Sequence, residues 1–350
     1  MKGVALLLIM LHNYFHIIPP IPGQSEFFFD KSAFPSFLEL IQNNPPDFLR
    51  HFFSYFGHYG VTVFVFVSGY GSYISYKDKY INYFDFLKKK IWKLYPTLVI
   101  VVVLLFLFIS FYSGGLPPAA QVKSLVLKLT LLFNFIPGEA LEVDGPLWFF
   151  SLIVQLYALF PLLKYVVKKY GANSMLLIAL IMLIFNILLN PFLVKNDLSV
   201  YFLFAGQLPV FCLGIYFASR PVMSISYPVF IFALLLFIAS NFHPVIWHFS
   251  FMSLMIVFLV LNLFIKPGFK KSGKTVSFLA FTGSISLSLF AVHGMIRIPF
   301  EAIAEIYNHS LITYLLAFPF LAASYGGAWL IRFVEANSLN RILKKGKIKW

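Results

Sequence analysis

Two histidines lie four residues apart near the N-terminus of the chain, at His12 and His16, and Asn13 follows the first of them. This spacing places both imidazoles on one face of an α-helix, about one turn apart. A positioned imidazole, which gains and loses a proton near neutral pH, is the usual general base for a hydroxyl group. A packing histidine held by hydrogen bonds is the alternative. Because no HExxH glutamate accompanies the pair, the pattern predicts no bound metal.

Two further apolar segments carry polar residues at helical spacing. Trp148, Ser151 and Gln155 form a polar stripe along one helix face, which is typical of a helix that lines a cavity or hydrogen-bonds a neighbour. His293 and Arg297 share a face of a later segment. An arginine one turn beyond a histidine could orient an anion or an oxyanion, and extension of its side chain to the membrane interface is the alternative.

A cluster of lysines, at Lys88, Lys89, Lys90 and Lys93, precedes another apolar segment. Such clusters are typical of the cytoplasmic end of a membrane helix. Lys90 and Lys93 are three residues apart, so they share the face that enters the membrane and could instead hold a phosphorylated cofactor.

The composition indicates what positions these residues. Hydrophobic residues make up 60% of the 350 residues and charged residues only 11%, whereas a soluble domain has about a quarter charged residues. We therefore predict a single all-α integral membrane domain over residues 1–350, in which 121–136 forms a re-entrant or interfacial helix. About ten transmembrane helices are predicted near 3–18, 52–76, 91–112, 146–167, 174–190, 200–219, 227–241, 246–265, 277–297 and 310–333.

The charges predict the orientation of these helices. With both termini cytoplasmic, most of the 27 lysines and arginines lie inside and most of the 13 acidic residues outside, as the positive-inside rule requires. All eight histidines then fall in or near the outer half. The net charge of +14 therefore predicts contact with anionic membrane lipid, and no nucleic-acid partner.

Five motifs in order along residues 2–297 resemble the membrane-bound acyltransferase family 3, which O-acetylates bacterial surface glycans. They are Lys-Gly-(apolar)-His from Lys2, Gly-Val-(apolar)-Ser-Gly-Tyr ending at Tyr70, Phe-Leu-Lys-Lys-Lys-(x2)-Lys-(x2)-Pro, Leu-Trp-(x2)-Ser-(x3)-Gln-(x)-Tyr-(x3)-Pro, and Ser-(x)-Ser-Leu-Phe-(x2)-His from Ser286. The resemblance implies a ten-helix membrane domain that takes acyl-CoA from the cytoplasm, acylates carbohydrate hydroxyls, and uses a first-helix histidine.

Two positions depart from the family pattern. Lys2 stands where many members have arginine, and its spacing to His12 is ten residues rather than about eleven. Gln155 stands where glutamate is common, so the sequence predicts that the histidine lacks a carboxylate partner. If that carboxylate is needed in all members, the chain is inactive or uses His16 or His58 in its place.

We therefore predict an O-acyltransferase of the inner (plasma) membrane that moves an acetyl or short acyl group from acetyl-CoA, as co-substrate, to a hydroxyl of an extracytoplasmic glycan or lipid-linked sugar. The alternative is a non-catalytic member that acts in glycan transport or export. The predicted catalytic residues are His12, Asn13, His16, His58, Trp148, Gln155 and His293. The predicted donor-binding residues are Lys2, Lys88, Lys90 and Lys93, and the predicted acceptor-binding residues are Ser68, Tyr70, Ser151, Ser286 and Arg297.

Overall fold

The computed structural model describes residues 1–21, 25–222, 224–265 and 273–345, and within these ranges it contains helices and no strand. The helices are α1 (Lys2–Phe15), α2 (Ala33–Asn43), α3 (Phe48–Phe56), α4 (Gly60–Tyr76), α5 (Tyr83–Ser113), α6 (Ala119–Leu129), α7 (Trp148–Tyr170), α8 (Asn173–Val194), α9 (Phe204–Ala218), α10 (Tyr227–Ala239), α11 (Pro244–Trp247), α12 (Ser250–Ile265), α13 (Lys274–Ser284), α14 (Ser286–Tyr307) and α15 (Ser310–Lys345). The prediction of an all-helical membrane protein is confirmed for the described residues.

Five helices in the described part of the chain are long and apolar enough to cross a membrane: Tyr83–Ser113, Gly145–Tyr170, Asn173–Val194, Ser286–Tyr307 and Ser310–Asn337. Four shorter apolar helices, Lys2–Phe15, Phe204–Ala218, Tyr227–Ala239 and Ser250–Phe264, accompany them. The total of ten spanning helices and the cytoplasmic position of both termini remain predictions.

Several helix boundaries differ from those predicted. The segment 52–76 is divided into α3, a short 3-10 turn over Gly57–Tyr59, and α4. The segment 277–297 is divided where Ile285 leaves the helical conformation. Helix α5 begins eight residues earlier than predicted, because the side chain of Asn82 accepts a hydrogen bond from the backbone N–H of Asp85 and caps the helix. The lysine cluster is thereby part of a continuous helix.

The leftover apolar segment forms α6, an 11-residue helix. At a rise of 1.5 Å per residue it is roughly 16 Å long, about half the hydrocarbon thickness, so it does not span by itself. Near its end the buried Lys128 donates from Nζ to the carbonyls of Glu139 (2.7 Å) and Ala140 (3.2 Å). Lys128 therefore fixes the loop that leads into α7.

Helix α1 lies at the centre of the fold, where it contacts α3, α4, α13 and α14. The Gly57–Tyr59 turn can approach α1 closely because glycine has no Cβ atom. A Cβ atom at Gly57 would lie 2.6 Å from the Cβ of His12 and 2.6 Å from the carbonyl oxygen of Leu8. The turn thus packs directly on the helix that carries His12, and it brings His58 beside that residue.

Candidate active site

Three of the four predicted catalytic histidines, His12, His16 and His58, line one cavity of about 330 Å³. Its walls come from α1, the segment after α1, the Gly57–Tyr59 turn, the loop before α7, and α14. The polar or aromatic side chains that line it include His12, Asn13, His16, Glu26, His58, Trp148 and Arg297.

The contacts of His12 leave one ring nitrogen open to this cavity. Nδ1 lies 3.0 Å from the backbone carbonyl oxygen of Ser54. A carbonyl oxygen only accepts hydrogen bonds, so Nδ1 carries the proton and Nε2 carries the lone pair. Nε2 lies 3.9 Å from Oε2 of Glu26. His12 is therefore held in the tautomer that a general base requires.

His16 and His58 complete a cluster of imidazoles around His12. The His16 ring stacks on that of His12 at a centroid distance of 4.6 Å, and the His58 ring meets it edge-on at 5.4 Å. His16 Nδ1 lies 3.4 Å from the hydroxyl of Ser54. The buried His58 interacts with the backbone of Tyr55, but neither of its nitrogens makes a hydrogen bond of good geometry to a described residue. At least one nitrogen of His58 is thus available to a bound molecule.

His293 differs from His12, because both of its nitrogens are engaged. Its Nδ1 lies 2.9 Å from the carbonyl oxygen of Phe290, and its Nε2 lies 2.8 Å from the side-chain nitrogen of Asn13. Nδ1 therefore donates to the carbonyl and Nε2 accepts from the amide. In this arrangement His293 and Asn13 join α14 to α1, and neither His293 nitrogen faces a substrate.

Arg297 lies one turn beyond His293 and lines the cavity. Its Nη1 donates to the backbone carbonyl oxygen of Asn13 (2.7 Å) and to Oε1 of Glu301 (3.2 Å), and its Nε donates to the carbonyl of Gly294 (3.2 Å). Nη2 makes no hydrogen bond to any described residue, so it is available as a donor to an anion in the cavity.

The polar stripe of α7 divides between two environments. Trp148 lines the cavity, where the ring of Phe27 meets it at 5.0 Å. Gln155 donates to Ser151 Oγ (3.3 Å) and accepts from the backbone N–H of Phe204 (2.9 Å), which ties α7 to the start of α9. Gln155 and Ser151 are not among the residues that line the cavity.

Glu26 lies near His12, although the sequence analysis did not single it out. Its side chain is only 14% exposed, and its Oε2 is the carboxylate oxygen 3.9 Å from His12 Nε2. Burial raises the pKa of Glu26 to about 7. Glu26 lies on a non-helical segment and has no fixed helical spacing to His12, so the pattern search could not find it.

His12, Glu26 and His58 are also a possible metal-ligand set. Each offers one ligand atom, and the three atoms lie within 4.8 Å of one another. A tetrahedral zinc ion with ligands at about 2.1 Å would hold them about 3.4 Å apart, so the atoms would have to approach one another to bind zinc.

A second group of predicted residues lies at the opposite end of α1. Lys90 Nζ lies 4.3 Å from the centroid of the Tyr157 ring and 3.5 Å from Ser72 Oγ. Ser68 hydrogen-bonds Tyr157, which places Ser68 at this end and not at the histidine cavity. The charges of Lys2, Lys89 and Lys93 are near enough to repel that of Lys90. No carboxylate forms a salt bridge with Lys90 among the described residues. The positive charge of Lys90 is therefore available to bind an anion.

Three predicted residues remain, Lys88, Tyr70 and Ser286. Lys88 is exposed on α5, Tyr70 stacks on Phe66 at 6.2 Å, and Ser286 begins α14. None of the three is among the residues that line the histidine cavity.

The sequence matches the family model of an acyltransferase domain, Acyl_transf_3, over residues 1–333. No curated protein and no solved structure matches the chain. The match spans both the histidine cavity and the lysine cluster, and with the apolar helices it defines the class of protein, a membrane acyltransferase. The chain belongs to the acyltransferase 3 family.

Proposed function

We propose that this protein is an O-acyltransferase of the inner (plasma) membrane. It moves an acetyl or short acyl group from cytoplasmic acyl-CoA to a hydroxyl of an extracytoplasmic glycan or lipid-linked sugar. One observation carries the proposal: the Nδ1–H of His12 is bound to the Ser54 carbonyl, and its Nε2 lone pair opens into a cavity large enough for a small acceptor.

The reaction needs a base because a sugar hydroxyl is a poor nucleophile at neutral pH. His12 Nε2 takes the hydroxyl proton as the oxygen forms its bond to the thioester carbonyl carbon. The carbon–sulfur bond then breaks, and the protonated His12 returns the proton to the departing thiolate. General base catalysis of this kind contributes roughly a hundred- to ten-thousandfold.

Negative charge develops on the carbonyl oxygen during this step. Arg297 lines the same cavity as His12, and its position is fixed by hydrogen bonds to Asn13, Gly294 and Glu301. A preorganised donor at the developing oxyanion is commonly the largest single contribution to catalysis. We assign this role to the free Nη2 of Arg297.

The donor phosphates bind, in this proposal, at the lysine cluster around Lys90. Lysine is an adequate point-charge partner for phosphate. Lys2 and His12 are ten residues apart on α1, roughly 15 Å along the helix axis, which is half the hydrocarbon thickness. Phosphates at the Lys2 end and a thioester at the His12 end therefore suit one extended acyl-CoA molecule.

The proposal is tested by transfer of labelled acetate. Purified protein in detergent with phosphatidylglycerol is given radiolabelled acetyl-CoA and the glycan fraction from cells that lack the protein. Wild type and the control His309→Ala, whose histidine is exposed and caps α15, should label the glycan equally. His12→Ala should lower the rate more than a hundredfold. Absence of labelling by wild type, or full activity of His12→Ala, would overturn the proposal.

A further inference from the structure

Glu26 belongs to the segment between α1 and α2, and two observations show that its position is built into the fold. The next residue, Phe27, is 5% exposed, and its ring lies 5.0 Å from that of Trp148 and 4.3 Å from that of Phe202. The carbonyl oxygen of Phe27 accepts a hydrogen bond from the hydroxyl of Ser199 at 2.8 Å. The backbone beside Glu26 is therefore anchored by Trp148 of the cavity wall and by Phe202 and Ser199 of the segment before α9.

The distance between Glu26 and His12 suits a carboxylate that interacts strongly with His12 only after the imidazole has become positively charged. At 3.9 Å, Oε2 of Glu26 is too far from Nε2 of His12 for a hydrogen bond. The Nε2 lone pair thus stays available to an acceptor hydroxyl. Once Nε2 has taken the proton, however, a positive imidazolium lies beside a carboxylate in a largely buried cavity, where opposite charges attract more strongly than in water.

No other carboxylate is available for this purpose among the residues that line the cavity. The other titratable or charged groups there are His16 on α1, His58 on the Gly57–Tyr59 turn, and Arg297 on α14. None of these can neutralise an imidazolium. Gln155, at the position where the family commonly has glutamate, is engaged with Ser151 and Phe204.

We propose that Glu26 is the carboxylate partner of His12, a positioning residue that stabilises the protonated imidazole formed during acyl transfer. The inference rests on the proposed function, in which His12 is the base. The carboxylate that the α7 motif lacks is thus supplied from the segment that follows α1. In the serine hydrolase triad, a carboxylate that stabilises the imidazolium in a comparable way is worth about ten-thousandfold. Since Glu26 makes no hydrogen bond to the resting His12, we expect a smaller effect here.

The test compares Glu26→Gln, Glu26→Asp and the control Glu142→Gln in the glycan-labelling assay. Glu142 is an exposed acid on the loop before α7. Glu26→Gln should lower kcat by about ten- to a hundredfold and leave the KM for acetyl-CoA within about twofold, because the donor phosphates bind elsewhere. Glu26→Asp should recover part of the rate, and Glu142→Gln should match wild type.

The pH profile separates an electrostatic role from a merely structural one. Wild-type kcat should fall as the pH drops below about 7, where the buried Glu26 takes up a proton. Glu26→Gln should lose the part of this fall that belongs to Glu26 and keep only the fall, at lower pH, that protonation of the base His12 produces. A wild-type kcat in Glu26→Gln, or a reduced kcat with the wild-type pH profile, would overturn the inference. If Glu26→Gln does not fold, as judged by gel filtration and acetyl-CoA binding, Glu26→Asp decides the question. A folded Glu26→Asp that keeps part of the wild-type kcat and still loses activity below about pH 7 supports the carboxylate. An unfolded or fully inactive Glu26→Asp overturns the inference in favour of a structural role. By contrast, failure of the proposed function would appear as an inactive wild type or an active His12→Ala.

Discussion

The side-chain amide of Asn13 donates to Nε2 of His293 over 2.8 Å, and so joins two helices 280 positions apart in sequence. Arg297 binds the backbone carbonyl oxygen of the same Asn13 at 2.7 Å. Two bonds from α14 therefore converge on the residue next to His12. They fix where the end of α1 lies relative to α14, and with it the direction of the His12 imidazole.

This arrangement predicts that His293 positions the site and does not exchange protons with a substrate. His293→Ala and Asn13→Ala should each lower kcat about ten- to a hundredfold, which is typical of a small displacement of catalytic groups. His293→Gln should retain more activity, because its amide oxygen can accept the same hydrogen bond. His243→Ala is the control, since His243 lies outside the cavity. A His293→Gln variant as inactive as His12→Ala would show that His293 is the base.

Gly294 permits the loop before α7 to approach α14. A Cβ atom at this position would overlap Oδ1 of Asp144 and lie 2.9 Å from Cγ of Pro146. Gly294→Ala should therefore displace the loop that leads to Trp148, lower transfer, and reduce stability by about 1–3 kcal/mol. Gly326→Ala is a matched control, because a Cβ there meets no atom within 4 Å. Kinetics and thermal unfolding in detergent measure both effects. Equal behaviour of the two variants would contradict the prediction.

We predict that Asp144 makes the free energy of unfolding depend on pH. Burial raises the pKa of Asp144 from 3.8 to about 7, and its Oδ2 has no hydrogen-bond partner among the described residues. A carboxyl whose pKa is raised by folding binds its proton more tightly in the folded state, so the stability it contributes is lost as the pH rises through about 7. The melting temperature should thus fall between pH 5.5 and pH 8. Asp144→Asn should flatten that fall by a few degrees, and Glu142→Gln should not.

The lysine cluster should govern affinity for the donor. Lys90→Ala combined with Lys93→Ala should raise the KM for acetyl-CoA about tenfold with a smaller change in kcat, because contacts made equally in the ground state and the transition state contribute to binding only. Lys169→Ala, at the exposed end of α7, is the control. An unchanged KM together with altered membrane insertion would mean that these lysines only anchor the helix.

Much of this architecture could be predicted from the sequence, because long apolar runs and helical spacing are local signals. The five helices that are long and apolar enough to span, α5, α7, α8, α14 and α15, each overlap a predicted segment, although α14 continues ten residues beyond 277–297. His12 was identified in the same way. The position of Glu26 depends instead on Phe27 packing against α7 and the turn before α9, which are far away in sequence. The break at Gly57 likewise depends on contact with α1.

The different partners of similar residues could not be predicted either. His12 and His293 both follow apolar runs, yet one keeps a free nitrogen and the other has none. The difference arises from Asn13, whose amide happens to reach across to α14. Spacing within one helix carries no information about such a contact between helices.

Lys2 and His12 lie on the same helix, so α1 sets a fixed distance between the lysine cluster and the histidine cavity. In the proposed function, this distance would select a donor by its length as well as by its charge. A thioester on a truncated carrier, such as N-acetylcysteamine, would have the reactive carbonyl but nothing to hold at the lysines. Inserting one turn into α1 between Lys2 and His12 would lengthen this distance by about 5.4 Å. Transfer from acetyl-CoA should then become slower.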